Sequence, residues 1–144
     1  MSHGVHPNYA SKHQDEHKPK LNGGVVIKLN AKQRYATDVT GAFLIRQLAA
    51  LKKRTCQDFE IRNDIPCGST VGRELPSPGN SSRCWHYVAY LSKLGMRTVD
   101  VGLAQLSMHS IREMCGADDV QAYIDLFDAF YESFDKVDAK LNVD

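Results

Sequence analysis

Long apolar runs are missing from this 144-residue sequence. No stretch approaches the roughly 18–20 consecutive apolar residues that cross a bilayer, so no membrane span is expected. An excess of one charge is missing too. Eighteen Lys and Arg stand against seventeen Asp and Glu, a formal net charge of +1, and six His are counted as neutral. That balance speaks against nucleic acid or an anionic membrane as partner. Cysteine is scarce: Cys56, Cys67, Cys84 and Cys115 fall in no paired zinc-ribbon or redox spacing. They read as reduced thiols of a cytosolic-type compartment. The first 24 residues are polar and His-rich and lack the apolar core of a secretory leader.

What is present alternates between strand and helix patterns. Val25-Val26-Ile27-Lys28-Leu29 is a β-branched run that reads as a buried strand, opened by Gly23-Gly24. From Asp38 to about Lys53 the pattern is helical, with Val39, Phe43, Leu44, Leu48 and Leu51 as its apolar face. Thr37 or Asp38 can cap its start, and Lys52-Lys53-Arg54 suit the negative end of its dipole. Phe59 to Arg62 reads as a short strand leading into the loop 63–70, and residues 97–101 alternate like another. Ser110 and Glu113 have the spacing of a capping box. A helix from Asp118 to about Phe134 carries Val120, Ile124, Phe127, Tyr131 and Phe134 as an aromatic stripe. Strands alternating with helices predict an α/β fold, and the length suits one domain that buries roughly 68–70% of its unfolded surface.

Several residues could carry chemistry, each with a plainer rival. His109 would sit on a strand-to-helix connection, where ligands gather in α/β sheets, and a neutral imidazole there can bind a metal. A lone His before a helix more often packs or caps. Lys28 interrupts an apolar strand, which fits either a snorkelling strand-end lysine or a charge aimed at a ligand. His13 and His17 could share a helix face, but no cysteine or acidic cluster completes a tetrahedral set, so a solvated segment is expected. Arg34 and Tyr35 could line a pocket or simply pack. Asp64 and Cys67 lack a secure base or helix N-terminus nearby, so their loop reads as structural.

Four motifs occur in order: Lys28-Leu29-Asn30, Gln33-Arg34-Tyr35-Ala36-Thr37, Arg62-Asn63-Asp64 running on to Pro66-Cys67-Gly68-Ser69-Thr70, and Gln105-Leu106-Ser107-Met108-His109-Ser110-Ile111-Arg112-Glu113. With the opening His3, His6-Pro7-Asn8-Tyr9 and the closing Leu141, Val143-Asp144, they resemble the carboxy-terminal part of aspartyl aminopeptidases, a family of zinc metallopeptidases. The resemblance implies the carboxy-terminal portion of a sheet-between-helices catalytic domain. It also implies removal of amino-terminal Asp or Glu from peptides, two zinc ions in the complete enzyme, a cytoplasmic or vacuolar location and assembly into homo-oligomers. It makes His109 a zinc ligand, His3 a substrate contact and Lys28 the partner of the substrate's acidic side chain. The family's aspartate ligand would lie just ahead of Met1, and its other carboxylate ligands, first His ligand and catalytic Glu further upstream. The chain alone is therefore expected to be inactive. A non-catalytic fragment, an assembly subunit and an incomplete gene model are the alternatives. Residues 73–89 depart from the family pattern, with Pro76 and Pro78 where a helix should begin. They read as non-coding sequence translated in frame, with a surface insertion as the other reading.

Overall fold

Strand β2, Val25–Leu29, is the spine of the structure, and Val25, Val26 and Ile27 are all fully buried. A strand covered on both faces needs a continuous apolar run rather than an alternating one, which is what the β-branched run supplies. In the computed structural model, residues 2–31, 35–60 and 95–141 are described. Strand β3, Cys56–Glu60, lies parallel to β2 in the register Lys28 to Phe59. Strand β4, Val101–Gly102, lies antiparallel on the other side, so the order is β3-β2-β4.

Alternation along β2 separates two cores. Val25 packs with Leu48 and Ala49 of helix α1, Val39–Leu51, and with Ala122, Leu126 and Ala129 of helix α2, Ala117–Asp138. Val26 faces the other way, onto Tyr35, Phe59, Ala104 and Leu21. Among the described residues both helices therefore cover one face of the sheet.

The sequence expectations for these helices need correcting in their faces. Asp38 does cap α1, its carboxylate accepting the Gly41 N–H at 2.6 Å. The Thr37 hydroxyl instead accepts the Asp100 N–H at 2.9 Å. The buried side of α1 is Ala42, Leu44, Leu48 and Ala49, whereas Val39, Phe43 and Leu51 are exposed. The predicted stripe of α2 is displaced in the same way. Val120, Ile124, Phe127 and Tyr131 lie outside, Tyr131 at 82% exposure, while Ala122, Leu126 and Ala129 are buried. The cause is close helix packing: Ala49, Ala122 and Ala129 at the contact let α1 and α2 approach, while Ile45, Tyr123, Phe130 and Phe134, the last a member of the expected stripe, pack around its edge. The basic end of α1 does more than meet its dipole. Lys52 donates to Asp128 and Glu132, and Arg54 donates to Asp125, tying the two helices together.

A second small sheet orders β1, Ser2–His3, beside β5, Ala104–Leu106, and then β6, Met114–Cys115. Pairing is parallel for β1 and β5, with His3 opposite Gln105, and antiparallel for β5 and β6. The chain runs from β4 to β5 with only Leu103 between, so one extended segment serves both sheets. The strand expected over 97–101 is thus displaced towards the carboxyl end. The strand expected to start at Phe59 begins earlier, at Cys56, and its residues 61–62 lie outside the described residues, as do Arg34, the loop 63–70 and the departing stretch 73–89.

Candidate functional site

The connection after β5 carries His109, and its backbone is unusual. Ser107 and His109 both have positive φ, 56° and 66°. Such left-handed conformations cost a non-glycine residue about 1–2 kcal/mol each, so surrounding bonds must hold them. The Ser110 N–H donates to the Ser107 carbonyl at 3.0 Å, and the Glu113 carboxylate accepts the His109 N–H.

This geometry corrects the capping-box reading. Glu113 reaches back to His109, and the Ser110 hydroxyl accepts the Arg112 N–H two residues on. No helix begins there, because Met114 and Cys115 pair with β5 instead. Helix α2 starts at Ala117, with Gly116 at its cap position. Its caps come from another part of the chain. Asn22 Oδ1 accepts the Asp118 N–H at 3.2 Å, and the fully buried Asp119 accepts the N–H groups of Asn22 and Gly24, both at 2.8 Å. A Cβ on Gly116 would lie 2.2 Å from Asn22 Oδ1, so only glycine fits where the two segments meet. This reciprocal clasp fixes the turn from which β2, and so Lys28, sets out.

His3, Lys28 and His109 come from three separate elements and share one electrostatic neighbourhood. His3 lies on β1 opposite Gln105, four residues before His109. Its pKa is lowered first by partial burial of the ring, then by His109, Lys28 and Lys12. Burial and these neighbours together disfavour the protonated form of the His3 ring. Lys28 has its ammonium 5.6 Å from the centre of the Tyr35 ring, and its backbone N–H donates to the Asp100 carbonyl. Asp100 also accepts the Ala36 N–H through its side chain, which pins the Tyr35 loop. Tyr35 itself is buried edge-on against Phe59, a packing role.

The solvated reading of His13 and His17 does not hold. His13 is 8% exposed, with its ring edge-on to Phe59 at 5.5 Å, and its Nδ1 has no partner among the described residues. Its pKa is lowered, by burial first and then by His3 and Lys18. His17 Nδ1 lies 3.2 Å from Glu60 Oε2. Two short 3₁₀ turns over Pro7–Lys12, kinked at Tyr9, swing the chain so that both rings meet β3, a contact 43 residues distant in sequence for His17.

The donor chemistry of His109 fits zinc in kind, since imidazole is an ordinary zinc ligand and the side chain is exposed on its loop. Among the described residues no group of three or more His, Cys, Asp and Glu gathers to hold an ion. His109 is thus a single imidazole donor with no companion ligand set among the described residues.

Residues 1–131 match the family model described as aminopeptidase I zinc metalloprotease (M18). The chain is 49% identical over its whole length to a protein of Ricinus communis named probable aspartyl aminopeptidase, and spans 26% of it. It is 41% identical, again over 144 residues, to aspartyl aminopeptidase 1 of Schizosaccharomyces pombe, and spans 27% of that protein. Its fold superposes on a chain from the cryo-EM structure of the Ape4 and Nbr1 complex with a TM-score of 0.82, at 40% identity over 100% of this chain and 25% of that one. Against the crystal structure of prApe1 the TM-score is 0.80, at 31% identity over 97% of this chain and 26% of that one. Against the mApe1 dodecamer of S. cerevisiae it is 0.75, at 29% identity over 99% and 28%. The chain thus spans about a quarter of the length of the curated relatives it matches.

Proposed function

This chain belongs to the aminopeptidase I zinc metalloproteases (M18), and from that premise we propose that the full-length protein carrying it removes acidic amino-terminal residues from peptides. The observation that carries this reading is that His3, besides being partly buried, lies within electrostatic reach of His109, Lys28 and Lys12, with no acidic group acting on it. A site composed in that way favours a negative ligand.

The roles divide by chemistry. Lys28 offers a compact ammonium, which suits a single carboxylate better than the planar fork of an arginine would. His3, its protonated form disfavoured, can give or accept one hydrogen bond at the substrate's first residue without repelling the substrate's amino group. His109 supplies one imidazole ligand for zinc. Zinc, when bound, polarises a scissile carbonyl and lowers the pKa of a coordinated water. The general base and the remaining ligands are assigned to the part of the protein outside this chain, so activity belongs to the full-length protein. Two ions, a cytoplasmic or vacuolar setting and a homo-oligomeric state are part of the same proposal. The exposed ridge of Val120, Ile124, Phe127 and Tyr131 supports assembly, as does the likeness to the mApe1 dodecamer.

The test is a substrate series on the zinc-loaded full-length protein: peptides alike except for a first residue of Asp, Glu, Asn or Ala. Release of Asp and Glu at a higher kcat/KM than of Asn and Ala is expected. Faster release of Ala than of Asp would overturn the acidic preference, and no release from any peptide would overturn the peptidase reading.

A further inference from the structure

Glu113 holds the His109 loop from two directions at once. Its Oε1 accepts the His109 backbone N–H at 2.5 Å, and its Oε2 accepts Gln105 Nε2 at 2.7 Å. Gln105 is anchored on β5, directly opposite His3 on β1. The Gln105 amide is thereby committed: its nitrogen faces the carboxylate, and its Oε1 is buried without a partner among the described residues. Between these anchors the chain takes two left-handed turns on ordinary side-chain residues, Ser107 and His109. Such a backbone persists only where neighbouring bonds over-determine it. The Ser110 to Ser107 bond closes the turn from within, and Glu113 is the side chain that ties the turn to the sheet.

We propose that Glu113 is a positioning residue, which fixes the left-handed backbone at His109 and so sets where its imidazole is presented relative to His3. This rests on the reading of His109 as a zinc ligand. It goes beyond it by assigning the orientation of that ligand to a carboxylate that holds its backbone N–H. The physical requirement is general. Partners that orient a metal-binding imidazole hold it in the pose the ion needs, and their loss typically costs about 10–100-fold in metal affinity.

The experiment compares Glu113→Ala, Glu113→Gln and His109→Ala in the full-length protein. Zinc affinity is read by competition with a chelator, the Ser110 amide by hydrogen exchange, and the fold by thermal melting. Glu113→Ala should weaken zinc binding about 10–100-fold. It should also speed exchange of the Ser110 amide, whose acceptor Ser107 is untouched by the substitution, and leave the melting temperature close to wild type. Glu113→Gln keeps one oxygen for the His109 N–H and should recover part of the zinc affinity. Unchanged zinc affinity in Glu113→Ala, alongside its loss in His109→Ala, would overturn the proposal. If His109→Ala itself keeps wild-type zinc affinity, the ligand reading fails by itself. Exchange at Ser110 then decides the positioning: faster exchange in Glu113→Ala upholds it and unchanged exchange overturns it. A large drop in melting temperature with faster exchange throughout β2 would make Glu113 a general stability residue and overturn the proposal as well.

Discussion

Replacing Asp119 with alanine is expected to undo the junction between α2 and the start of β2. Asp119 is 0% exposed and accepts the backbone N–H groups of Asn22 and Gly24, both at 2.8 Å. Hydrogen bonds to a charged acceptor contribute about 1.5–3 kcal/mol each, so the loss of both should cost roughly 3–6 kcal/mol. No relaxation restores them cheaply. Gly24 sits at φ 92°, and a Cβ there would lie 2.1 Å from the Thr55 carbonyl oxygen, so this backbone has little room to seek another acceptor. Asp119→Asn keeps one acceptor oxygen but turns an amide nitrogen towards the second N–H, and should cost about half as much. The assay is denaturant unfolding of the full-length protein, with hydrogen exchange of the Asn22 and Gly24 amides as the local reading. A loss below about 1 kcal/mol for Asp119→Ala would refute the reasoning, since a single ordinary hydrogen bond is already that large. So would unchanged protection of the Gly24 amide.

Three further outcomes follow from the same geometry. His109→Ala in the full-length protein should lower zinc content and most activity with little change in melting temperature, because its side chain is exposed; full zinc content with a lowered melt would show a packing role instead. Lys28→Ala should cost roughly 1.5–3 kcal/mol in kcat/KM for Asp and Glu substrates and little for Ala substrates, and equal loss on both would make Lys28 structural. Stability should fall on acidification below about pH 6.5, because the lowered pKa values of His3 and His13 mean that the unfolded chain takes up protons before the folded one does. His13→Gln, which cannot titrate, should flatten that slope in unfolding measured between about pH 7 and 5, and an unchanged slope would clear His13 of the effect.

The elements of this fold are written in local chemistry. Val25-Val26-Ile27 declares a buried strand because its β-branched side chains suit a pleated, doubly covered position, and Asp38 declares a helix start because its carboxylate reaches Gly41 within its own turn. The motif around His109 likewise marked the family in the sequence, and the family match bears that out. Faces and partners are another matter. Phe43 and Tyr131 look like core in the helical pattern, yet both are exposed, because the approach of α1 to α2 is decided by which small residues each helix presents to the other. Glu113 has the spacing of a cap and is instead a loop clamp, because β6 pairs with β5 where the helix is expected to begin. His13 reads as solvated among polar neighbours, and only the path of the chain across β3 buries it against Phe59. Asp119 is not singled out in the sequence, and its work for Asn22 and Gly24 joins residues 97 and 95 positions apart. Sequence alone determined what each segment could become, because propensity and capping act within a few residues. Tertiary structure decided which side chains met, because a long-range contact depends on where the rest of the chain has already been placed.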